Sequence, residues 1–139
     1  MAEGQVAERH PFQYAVVRVV PRVERGERIN AGVILFCRPR RFLAARVALD
    51  TPRLAALAPG LEAQRIQPHL DAIVRVAAGD GSAGTIARLG QSERFHWLVA
   101  PASTIVQPSC VHTGLCEDPQ ATLDRLFREL VAPPAPSLP

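Results

Sequence analysis

Residues 12–50 decide the fold: Phe12-Gln-Tyr-Ala-Val-Val-Arg-Val-Val-Pro21, then Ile29-Asn-Ala-Gly-Val-Ile-Leu-Phe-Cys37, then Phe42-Leu-Ala-Ala-Arg-Val-Ala-Leu-Asp50. Each run is rich in β-branched or apolar residues. Arg22 to Arg28, with Gly26, separates the first two, and Arg38-Pro39-Arg40-Arg41 separates the last two. Such runs joined by turn-forming segments read as a three-stranded antiparallel meander. Successive side chains on a strand point to opposite faces, so parity sorts them. One face carries Ala15, Val17, Val19, Ile29, Ala31, Val33, Leu35, Leu43, Ala45, Val47 and Leu49; it is wholly apolar and demands a cover of helices. The other carries Phe12, Tyr14, Arg18, Asn30, Gly32, Phe36, Phe42 and Arg46. In the simplest register Arg18 and Arg46 flank Gly32. A mid-strand glycine marks a close approach to the backbone, here by two guanidinium stems or by a ligand.

Helical signals follow the meander. Thr51 as cap and Pro52 open a short helix through Leu57, stopped by Pro59-Gly60. Ile66, Leu70, Ile73, Val74 and Ala77 form a helical stripe, with the helix starting near Gln67 so that Pro68 lies in its first turn. Gly79 to Ser82 is a loop and Ala83 to Leu89 a short helix. Phe95 to Ala100 and Ser103 to Gln107 read as two further strands, a hairpin that would bury Tyr14, Phe36 and Phe42. Asp118 as N-cap with Pro119 behind it starts a final helix striped by Leu123, Leu126, Phe127, Leu130 and Val131. The expected fold is α+β, an antiparallel sheet packed on helices in the order βββ-αα-ββ-α. It forms a single domain over residues 12–131 between a flexible tail at 1–11 and a Pro-rich disordered tail at 132–139.

Charge is unevenly spread. Eight of the sixteen arginines lie between Arg18 and Arg46 against only Glu24 and Glu27, a net +6 in a chain whose total is +3. There is no lysine, so every cation is a planar fork suited to phosphates and carboxylates. Arg25 and Arg28 fall at one end of the meander and Arg38, Arg40 and Arg41 at the other, roughly 27 Å apart across eight strand residues. Two separate patches fit duplex DNA poorly. Three cysteines make no disulfide framework and point to a reducing cytoplasm. No apolar stretch reaches the ~20 residues of a membrane span.

Two segments resemble a known family. One is Tyr14-Ala-Val-Val-Arg-Val-Val-Pro21 with Glu27-Arg-Ile-Asn-Ala-Gly-Val-Ile-Leu-Phe36. The other is Phe95-His-Trp-Leu-Val-Ala-Pro101 with Ser103-Thr-Ile-Val-Gln-Pro-Ser109 and Val111-His-Thr-Gly-Leu115. Together they resemble DUF3037, a bacterial family of unknown function. The family pattern places weight on Arg18, Asn30, Gly32, Ser103, Thr104, Gln107, Ser109, His112 and Gly114, and does not require Cys110 or Cys116. Some members are encoded beside HipA-like kinases, which implies a regulatory partnership. The resemblance supplies no activity.

The candidate site therefore combines Arg18, Asn30, Gly32 and Arg46 on the meander with Ser103, Thr104, Gln107, His112 and Gly114 near the end. Mid-strand arginines facing aromatics need a partner, either an internal carboxylate or a bound anion. The hydroxyls and amides of 103–109 satisfy the backbone of an irregular crossing or contact a ligand. The expectation is a non-enzymatic cytoplasmic binding module for a protein partner or small anionic ligand, without a cofactor. Its alternatives are a small hydrolase or phosphoryl-transfer enzyme using His112 as acid–base group, and single-stranded nucleic-acid binding. Homo-oligomers stay open, and no membrane partner is expected. Cys110, His112 and Cys116, with distant Cys37, offer a weak zinc alternative at uncommon spacing. All these readings need the middle of the meander and the His112 segment to meet in space.

Overall fold

A computed structural model describes residues 8–133. Strands β1 (His10–Val19), β2 (Ile29–Cys37) and β3 (Phe42–Val47) form the expected meander, β2 on the bounds read from sequence. Helices α1 (Thr51–Leu57), α2 (Gln67–Ala78) and α3 (Gln91–Leu98) follow, then β4 (Val106–Pro108), β5 (His112–Cys116) and α4 (Pro119–Leu130). The sheet is antiparallel in the order β3-β2-β1, with β4 and β5 placed one after the other along the outer edge of β1. The α+β class and the progression of elements are those read from the sequence. Two ends differ from that reading. β1 takes up His10 and Pro11, which had been assigned to the tail, and β3 stops at Val47. The tail residues 1–7 and 134–139 lie outside the described residues. Among the described residues no helix is long and apolar enough to cross a membrane.

Helices cover both faces of the sheet. Leu54, Ile66, Leu70, Val76, Ala77, Phe95 and Leu98 from α1–α3 and their connections pack on one face, and Leu123, Leu126, Phe127 and Val131 of the α4 region pack on the other. The parity reading fails halfway along β2, and its cause is a bulge. Val17 pairs with Gly32 but Arg18 pairs with Asn30, which leaves Ala31 as an extra residue. A bulge inverts the alternation beyond it. Ile29 and Ala31 thus share the α1–α3 core with Ile34 and Phe36, while Val33 and Leu35 turn to α4. Gly32 consequently sits between Val17 and Val47, not between Arg18 and Arg46. A Cβ there would come within 2.7 Å of Val47 Cγ1 and 3.0 Å of the Arg46 carbonyl. Phe36 meets Phe95 with ring centroids 5.1 Å apart, and α4, not a hairpin, covers the aromatics of the opposite face.

Residues 95–98, expected in a strand, are helical. Their β-rich composition competes with a different spacing: Arg94, Phe95 and Leu98 are buried while Trp97 is 52% exposed. That is the pattern of one helical face. Burying Phe95 and Leu98 is worth about 2 kcal/mol each, more than β-propensity differences of up to ~1 kcal/mol offer. Glu93 in the first turn and Pro101 beyond the end complete the helical grammar. The late strand pair accordingly shifts to 106–116. In place of a loop over 79–82 and a helix over 83–89 there are two short 3-10 turns, Gly81–Ala83 and Ile86–Arg88. Asp50, not Thr51, caps α1 by accepting from the Arg53 N–H at 3.1 Å. Asp118 caps α4 as expected.

Candidate functional site

The meander and the His112 segment meet. Arg18 pairs with Gln107, Tyr14 with His112 and Phe12 with Gly114, all across the outer edge of β1. Between the two pairings β1 spends Ala15 and Val16 while the partner strand spends Ser109, Cys110 and Val111. Ser109 manages that mismatch. Its N–H donates to the Val16 carbonyl at 2.8 Å, and its buried hydroxyl accepts from the Val16 N–H at 2.8 Å. The same hydroxyl donates to the Cys110 carbonyl at 2.8 Å. The odd residue inverts the facing of the strand. Val106 and Pro108 line the α1–α3 side with Val17, whereas His112 lies against Tyr14 and Gly114 against Phe12 on the α4 side.

The result is a polar shelf on the α4 side, along β1 and β5, with His112 exposed and Tyr14 and Arg18 partly so. The His112 and Tyr14 rings are 5.1 Å apart, and the Cys110 Sγ lies 3.7 Å from His112 Nε2. Among the described residues the enclosed Arg18 Nε has no hydrogen-bond partner. Burial pushes its guanidinium pKa below the ordinary value, neighbouring Arg28 lowers it further, and Cys110 works the other way. Neither Arg18 nor Arg28 is within ion-pair distance of a carboxylate among the described residues.

Several other candidate residues serve the fold. Arg46 found the internal carboxylate: its Nη1 lies 3.1 Å from Asp124 Oδ1, and its guanidinium is 4.2 Å from the Phe127 ring centroid. Asn30 donates from Nδ2 to the Leu130 carbonyl at 2.9 Å, satisfying the last turn of α4. Thr104 donates to the Val106 carbonyl at 2.8 Å, and Gln107 Nε2 to the Thr104 carbonyl at 2.7 Å, which closes the turn into β4. A Cβ on Gly114 would reach 2.7 Å from Phe12 Cζ, so this glycine makes room for a ring. Ser103 is exposed in the loop. Cys110, His112 and Cys116 do not gather into a metal site: no group of three or more His, Cys, Asp or Glu that could hold an ion occurs among the described residues. Cys116 is buried, and burial together with neighbouring Cys37 pushes its thiol pKa up, away from the thiolate that zinc requires.

Sequence reasoning missed a second feature. On the α1–α3 side, directly behind the shelf, a cleft of about 690 Å³ opens between α2, α3 and the loop into β4, with Ile66, His69, Ile73, Trp97, Leu98 and Ile105 among its walls. Trp97 is 52% exposed and Ile105 39%. The apolar residues at 97, 98 and 105 were in plain sight, but reading 95–100 as a strand hid their convergence.

An antiparallel sheet clasped between helices, with a polar shelf on one strand edge and an apolar cleft behind it, defines a small α+β protein. Residues 14–131 match the family of proteins of unknown function DUF3037, and the chain belongs to that family. No curated protein and no solved structure matches it.

Proposed function

We propose that the protein is a binding module whose shelf captures an anionic group, on a small ligand or on a protein partner. Arg18 carries this reading. Its terminal nitrogens, unlike the enclosed Nε, are open to solvent, and no carboxylate among the described residues lies within ion-pair distance, so an incoming oxyanion there would supply the missing countercharge. Arg28 adds attraction, and His112 and Tyr14 supply further contacts. The test is titration of inorganic phosphate into the full chain while the Arg18 Nε–H resonance is followed by NMR. A saturable shift in the wild type, lost in Arg18→Ala and weakened in His112→Ala with both variants folded, supports the site. An Arg18 resonance indifferent to phosphate sinks it.

The cleft favours a second reading, docking of a protein partner through apolar side chains around Trp97. A HipA-like kinase is the partner that the family resemblance suggests. Binding of such a purified kinase by the wild type and by Trp97→Ala with equal affinity would exclude the cleft. The hydrolytic or phosphoryl-transfer alternative is weaker, because Arg46 is engaged by Asp124 and leaves His112 only Arg18 for charge stabilisation. Nucleic-acid binding has no continuous stripe to follow, since the turn arginines lie at opposite ends of β2.

A further inference from the structure

The anion reading leaves one reactive group on the shelf unused. Cys37 and Cys116 are buried, and Cys110 is exposed. Cys110 is not isolated: its Sγ is 3.7 Å from His112 Nε2, within hydrogen-bonding range for sulfur. Both partners are fixed from below. The Ser109 hydroxyl, itself anchored to Val16, holds the Cys110 carbonyl, while the β5 ladder and the Tyr14 ring hold His112. Arg18 pairs with Gln107, on the strand that leads into Cys110, and has no ion-pair partner among the described residues. A nucleophile and a base within hydrogen-bonding range thus share one exposed spot, with the Arg18 guanidinium on the neighbouring strand, the arrangement that activates cysteine.

We propose that Cys110 is a thiol–disulfide exchange site for small disulfides bearing carboxylates, of the glutathione class. With His112 in the tautomer whose Nε2 is free, the Cys110 S–H proton passes to Nε2 as Sγ attacks one sulfur of the disulfide. The new Sγ–S bond forms, the original S–S bond breaks, and the departing thiolate takes a proton back from His112. One thiol and one disulfide become one mixed disulfide and one thiol, with the incoming disulfide as the oxidant. Arg18 and Arg28 attract the carboxylates of the incoming molecule. The inference rests on sulfur chemistry, so it survives even if phosphate does not bind at Arg18.

The test uses the full chain and glutathione disulfide near neutral pH, read by intact mass and peptide mapping. We expect one adduct, on Cys110, forming about tenfold faster than on the same cysteine in the urea-unfolded chain, below the ~10²-fold of enclosed general bases because this pair stands in water. His112→Gln and His112→Asn should both lose that advantage, and with iodoacetamide, a neutral reagent, as well. Arg18→Gln should slow the reaction with glutathione disulfide more than that with iodoacetamide. Circular dichroism establishes that each variant is folded. An adduct on Cys37 or Cys116 in place of Cys110, or a Cys110 rate unchanged in both folded His112 variants, overturns the proposal.

Discussion

The two sides of β1 share one backbone but position their features by different physics. On the α1–α3 side, Val17, Ile34, Phe36, Phe95 and Leu98 belong to one continuous apolar core, and the cleft lies where that core runs out. On the shelf side, geometry depends on single atoms: the Ser109 hydroxyl, the missing Cβ of Gly114 and the enclosed Nε of Arg18. Bulk burial is tolerant of substitution in its detail and costly in its loss, whereas a hydrogen-bonded crossing is cheaper to break and harder to replace. Stability should therefore reside mainly behind the strand, and chemistry in front of it.

Phe95→Ala tests the first half of that contrast and should have the largest effect. The side chain is 2% exposed and packs on Phe36, so its loss should cost about 3–5 kcal/mol in urea denaturation. The shelf should survive in the fraction that stays folded, with Arg18 and His112 resonances little moved. If those resonances shift as much as those around the cleft, the two sides are coupled and the contrast fails. Ser109→Ala probes the other half. It strands the Val16 N–H in a buried position and should cost about 1–3 kcal/mol. Unlike Phe95→Ala, it should release Cys110 and move the His112 ring. A folded Ser109→Ala protein with unshifted His112 signals would show that the ladder, not the hydroxyl, fixes the shelf.

These two residues also mark what the sequence could and could not reveal. The meander, the Gln67 start of α2 and the Asp118-Pro119 start of α4 were legible because each rests on local chemistry: β-branched runs, a proline in the first turn, a carboxylate cap. The meeting of Arg18 with the His112 segment was a reasonable bet on polar residues needing partners. The bulges were not legible. Ala31 and the 109–111 crossing each insert one residue whose only trace in sequence is a nearby glycine or serine, and each inverts every side chain beyond it. That inversion moved Gly32 away from the arginines and brought Cys110 and His112 to the α4 side. The helix at 91–98 was hidden for a different reason: its tertiary contacts outweigh the β-rich composition of Phe-His-Trp-Leu-Val.

The smallest effect should come from the α1–α3 side, and it sharpens the contrast by pH. Asp80 follows α2 and accepts from the Ser82 hydroxyl at 2.7 Å, the Arg75 Nε at 3.0 Å and the Ser82 N–H at 3.0 Å. The Ser82 hydroxyl first, then Arg75, hold its carboxyl pKa at about 2, below the ordinary 3.8. A carboxylate with a depressed folded-state pKa stabilises the fold fully above its unfolded value and loses that contribution as pH falls through the folded value. The stabilisation from this loop should thus be present above about pH 4 and be lost as pH falls from there through about 2. Because Asp80 is solvent-exposed, the effect is screened and small. Comparing acid denaturation of the wild type with Asp80→Asn isolates it: the variant should be slightly less stable at neutral pH, and most of the difference should be gone by pH 2. A gap between the two proteins as large at pH 2 as at neutral pH would mean that the loop is held by packing, placing it with the apolar core behind the strand and not with the sites that single atoms control.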